Sequence, residues 1–79
     1  MLLYLDNCVI DLDKINYIQV CKPAMTYKYT LYFNFHNHHC TCYNFDNEDI
    51  AHKALSVLME KIEQAYNEGL KVLTIKTLI

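Results

Sequence analysis

The residues best suited to chemistry lie in one short run, His36-Asn37-His38-His39-Cys40-Thr41-Cys42. Imidazole and thiolate are favoured zinc ligands, and thiolates also take copper(I). Alternate residues of a strand share a face, so His36, Cys40 and Cys42 could converge on one zinc ion if a hairpin register allows it. The spacing lacks the second Cys/His pair that completes a structural zinc module. The competing reading is an ordinary hairpin, with histidines solvated at its tip and thiols packed as small hydrophobes.

Tyrosine supplies the second set of candidates: Tyr17, Tyr27, Tyr29, Tyr32, Tyr43 and Tyr66. The phenol combines a large contact area with one hydrogen-bonding group and is enriched at protein interfaces. Tyr32 is the most informative, because strand alternation sends it to a polar face with Asn34 and His36. Tyr32, Asn34 and His36, with His38 and His39 at the hairpin tip, form the expected partner-binding set. Tyr27 and Tyr29 fit core or rim packing instead.

No catalytic residue is expected. There is no glycine-rich phosphate loop, and the single serine, Ser56, falls inside a helical pattern. Asp6, Asp11 and Asp13 form an acidic turn region without the glycine and closing glutamate of an EF-hand loop. Cys40 beside His38 has the residue types of a nucleophile and base but no orienting third group. Glu60, Glu63, Glu68 and Asp49 make the outer helix face acidic, which suits a solvated surface or the steering of a basic partner.

These candidates must be held by very little chain. Its 79 residues suffice for one domain, 1–79, and so short a chain buries only about 60% of its unfolded surface. A second copy or another staple would help stability, and a homodimer is expected. The chain is 53% hydrophobic and 20% charged, unlike a disordered tail. Its net charge of −2, with seven lysines and no arginine, disfavours a nucleic-acid binder. Aromatics on a sheet can stack bases, but the cationic surround is thin, with Lys28 the nearest base on that face. The opening MLLYLDN has no basic n-region, and no run reaches the roughly 18 apolar residues of a membrane span. A cytoplasmic protein with reduced thiols is expected. The richness in Tyr, Asn, Ile and Lys fits an AT-rich coding sequence, as in low-GC bacteria and their phages.

The first half reads as strands. Met1–Leu5 and Cys8–Leu12 flank the turn signal Asp6-Asn7 and suit a hairpin. Ile15–Cys21 is β-branched and aromatic, and ends before Pro23. In Tyr27–Phe35, residues Tyr27, Tyr29, Leu31, Phe33 and Phe35 share one face, while Lys28, Thr30, Tyr32, Asn34 and His36 share the other. His39–Phe45 returns beside it. A two-residue loop at Asn37-His38 would set Cys40 opposite Phe35 and Cys42 opposite Phe33, with both thiols in the core. A three-residue loop, 37–39, would set Phe45 opposite Leu31 and Tyr43 opposite Phe33, with both thiols outward.

A helix is expected over 47–68. Asp46 would be its N-cap, and Phe45 with Ile50 a hydrophobic staple favouring the second register. Ala51, Ala54, Leu55, Leu58, Ile62, Ala65 and Tyr66 form its apolar stripe, and Gly69 its left-handed stop. Leu70–Ile79 reads as a last strand covered on both faces, pairing within the sheet or across a dimer.

The string CVIDLDKINYI, the Tyr-rich hairpin and FDNEDIAHKALSVLMEKI together resemble small bacterial and phage proteins with a reduced pleckstrin-homology-like layout. The likeness covers about the first 65 residues. It rests on hydrophobic pattern and carries over no functional residue. In size and lack of catalytic motifs the chain also resembles phage anti-CRISPR and other anti-defence proteins. The expected fold is α+β: a twisted antiparallel sheet of about five strands, one helix on one face and a final strand. The expected function is non-enzymatic protein binding, as a phage or mobile-element inhibitor of a host enzyme or defence complex. A zinc regulator through the His/Cys hairpin, and a nucleotide-sequestering protein at a dimer interface, are the alternatives.

Overall fold

The computed structural model describes residues 1–5, 8–22, 28–37 and 40–76, with the side chain of Cys40 outside that set. The turn signal Asp6-Asn7, Tyr27, His38, His39 and the last three residues therefore lie outside the described residues.

The chain is α+β. It runs β1 (Leu2–Leu5), β2 (Cys8–Asp11), a 3-10 turn (Leu12–Lys14), β3 (Ile15–Cys21), β4 (Tyr29–Phe35), β5 (Cys40–Phe45), α1 (Glu48–Asn67) and β6 (Val72–Ile75). The strands divide between two three-stranded sheets, ordered β2-β1-β6 and β3-β4-β5. β1 and β2 form the expected antiparallel hairpin, Leu3 opposite Ile10. The last strand pairs within the chain, parallel to β1, with Leu3 opposite Leu73. A parallel partner needs a crossover, and β2 through α1 supply it.

The two sheets and α1 enclose one core. β1 sends Leu3 and Leu5 inward, β2 Ile10, β4 Leu31 and Phe33, α1 Ala54, Leu58 and Ile62, and β6 Ile75. Leu31 and Phe33 are fully buried, as the period-2 pattern requires. The Phe33 and Tyr43 rings meet edge-on at 6.1 Å, a favoured aromatic geometry. The Tyr43 hydroxyl then donates to the Leu5 carbonyl at 3.3 Å, linking the two sheets.

Both ends of α1 are set by side-chain chemistry. The N-cap is Asn47 rather than Asp46: its backbone is extended, and its Oδ1 accepts from the N–H groups of Asp49 at 2.7 Å and Ile50 at 3.4 Å. Asp46 instead pairs with Lys28 at 3.3 Å. The cap shift moves the fourth helical position to buried Ala51 and leaves Ile50 exposed, so Phe45 and Ile50 are not a staple. Phe45 packs against the core on its own account. At the other end Gly69, φ 71°, donates to the Tyr66 carbonyl, and Leu70 donates to that of Ala65. These are the two bonds of a Schellman stop.

Two further expectations need correction. Only one face of β6 is covered: Ile75 is buried, while Val72 and Thr74 are exposed. The β4–β5 hairpin adopts neither expected register. Leu31 faces Tyr43, Phe33 faces Thr41 and Tyr29 faces Phe45, two residues away from the three-residue-loop pairing. A two-residue shift preserves the faces, so Tyr43 and Phe45 point inward as that register required.

Candidate interaction face

The β3-β4-β5 sheet turns one face to the core, and no other element among the described residues packs on its second, open face. Register fixes the open face in three rows: Tyr17–Asn34–Cys40, Gln19–Tyr32–Cys42 and Cys21–Thr30–Asn44. A step in the β3–β4 ladder between Ile15 and Tyr17 brings Asn16 beside this face, where its Nδ2 donates to Asn34 Oδ1 at 3.5 Å. Thr30 is buried, and its hydroxyl donates to Asn44 Oδ1 at 2.9 Å. The face is therefore partly stitched by its own hydrogen bonds, with Tyr17 standing out at 49% exposure.

None of the residues in these three strands is charged. Cations border the sheet at both ends: at one, Lys28 pairs with Asp46 and the Lys22 ammonium lies 5.5 Å from the Tyr29 ring centre, and at the other Lys14 directly precedes β3. Among the described residues of these strands no cation stands between the aromatics.

The expected site residues separate. Tyr32 and Asn34 are half-buried neighbours on the open face. His36 lies beyond the end of β4 in the turn, its backbone N–H bonded to the Lys14 carbonyl at 2.9 Å. Its side chain is exposed beside a shallow dimple lined by Lys14, Phe35 and Asn37. His38 and His39 lie outside the described residues, as does the Cys40 side chain.

For the metal set, register places Cys42 opposite Tyr32, four residues along from His36. His36 itself lies in the turn beyond the strand. No cluster of three His, Cys, Asp or Glu suited to a metal occurs among the described residues. Cys8 and Cys42 are exposed free thiols, and Cys21 is a half-buried one.

Gln19 and Asn44 belong to the same face and were not singled out by sequence, whereas Tyr17 was a tyrosine candidate without an assigned face. The alternation of β3 alone could have flagged Tyr17 and Gln19, but only the register sets them beside Asn34 and Tyr32.

A second exposed surface lies on the outside of the β2-β1-β6 sheet. Here Tyr4 sits between Val9 and Thr74, and Leu2 between Asp11 and Val72. Leu2, Tyr4, Val9 and Val72 are all exposed. No helix of the described residues is long and apolar enough to cross a membrane. No family model, curated protein or solved structure matches the chain.

Proposed function

We propose that the chain is a non-enzymatic protein-binding module whose contact surface is the open face of the β3-β4-β5 sheet. One observation carries the reading: a rigid sheet presents Tyr17, Gln19, Tyr32, Asn34 and Asn44 with no charged residue in its three strands. Tyrosine gives contact area at low entropy cost, and amides adapt their hydrogen bonds to a partner. Low charge keeps the desolvation cost of docking small. Placing these side chains on strands holds them more precisely than a loop would.

The module acts in the cytoplasm as two copies, and its partner is a host enzyme or defence complex blocked by a phage or mobile-element inhibitor. Small size and the AT-rich composition support that setting. The test is affinity capture from lysate of a low-GC bacterial host, with wild-type and Tyr32→Ala chains as matched baits. A specific partner held by the wild type, and recovered at least tenfold less by Tyr32→Ala with melting unchanged, supports the reading. Equal recovery by both baits, or no specific partner for either, overturns it.

A further inference from the structure

Exposed sheet edges carry unpaired backbone groups, and proteins shield them with charge, proline, bulges or shortness. Four strand edges lack a strand neighbour among the described residues, and three of them carry such a device. β2 is four residues long and ends in Asp11. β6 is also four residues long, with Lys71 before it and Lys76 after it. β3 is longer, but its ladder steps irregularly between Ile15 and Tyr17. β5 differs from all three. Its six residues, CTCYNF, hold no charge and no proline, and its register with β4 is unbroken from Cys40 to Phe45.

We infer that the outer edge of β5 pairs antiparallel with β5 of a second copy, joining two β3-β4-β5 sheets into one six-stranded sheet. The inference deepens the two-copy part of the proposed function and rests on it. A second copy is the occupant the residues favour, because a two-fold axis sets each side chain against its own strand's set. Centred on Cys42, the pairing puts Thr41 opposite the partner's Tyr43 and Cys42 opposite the partner's Cys42. No charges oppose one another, which a charged edge pairing with itself could not avoid. The polar row then runs on unbroken, from Gln19, Tyr32 and Cys42 into the partner's Cys42, Tyr32 and Gln19. The open face doubles without any new element.

The exposed Cys42 thiol supplies the probe. Directly opposed residues in such a pair have Cβ atoms about 4.5–5.5 Å apart, within reach of a short bis-maleimide. Wild-type chain is examined by sedimentation over micromolar to millimolar concentration, then cross-linked, digested and mapped by mass spectrometry. The expected result is a dimer whose dominant link joins Cys42 to Cys42. In Cys42→Lys two ammonium groups meet at the axis, and the dimer dissociation constant is expected to rise at least tenfold with the monomer still folded. If that variant does not fold, the wild-type link map decides alone. A monomer at every concentration overturns both the inference and the two-copy reading. A dimer without the Cys42 link, or one broken by Val9→Lys on the other sheet but not by Cys42→Lys, overturns the edge assignment only.

Discussion

At Gly69 the backbone sits at φ 71°, and an added Cβ would meet nothing within 4 Å. Any cost of substitution there is conformational rather than steric crowding. Gly69→Val should therefore lower stability by about 1–2 kcal/mol, read by denaturant midpoint, and Gly69→Asn by less, because asparagine tolerates the left-handed region. Asn47 is the matching test at the other helix end. Asn47→Ala removes the acceptor for two backbone N–H groups and should cost about 1 kcal/mol, whereas Asp46→Ala should leave the cap intact. The sequence reading puts the cap at Asp46, one residue before the Asn47 that holds it. Asp46 pairs instead with Lys28, which lies just before β4 and 18 residues earlier in the chain. Tyr32 was readable from alternation within its own strand. Its neighbours on the face were not, since they depend on pairing between strands.

Elements were legible wherever the signal was local. Ile15–Cys21 has the bounds that its β-branched run and the following Pro23 imply, and α1 falls within a residue of its expected ends. The helix stripe also separates by depth. Leu58 is fully buried, while Leu55 is only partly so. Leu58→Ala should cost about 2–5 kcal/mol in chemical unfolding, and Leu55→Ala clearly less. The β4–β5 register was half legible. The inward set of Tyr43 and Phe45 follows from burial, but burial repeats every two residues and cannot distinguish one pairing from another two residues away. β6 was misread for a related reason. Its apolar residues on both faces suggested double cover, but Val72 is exposed on the outer side of a sheet with no layer above it among the described residues.

For the whole molecule, the decisive contact joins the ends of the chain. β1 is the middle strand of its sheet, held by β2 on one side and by β6 on the other. Periodicity says nothing of a partner some 70 residues away, so neither the parallel pairing nor the split into two sheets could be read in advance. Ile75→Ala should destabilise by about 2–5 kcal/mol, because its side chain closes the core against β1. A chain ending at Lys71 should lose cooperative unfolding altogether, seen as a broad thermal transition. It would strip β1 of one ladder and uncover Leu3 and Leu5 together.

That pairing of first and last strands also bears on biosynthesis. The β1-β2 hairpin is synthesised well before the strand that completes its sheet, which follows β1 by about 70 residues. Until Val72–Ile75 has followed, Leu3 and Leu5 have no finished interior to enter, so a nascent chain stalled before β6 would be a substrate for chaperones.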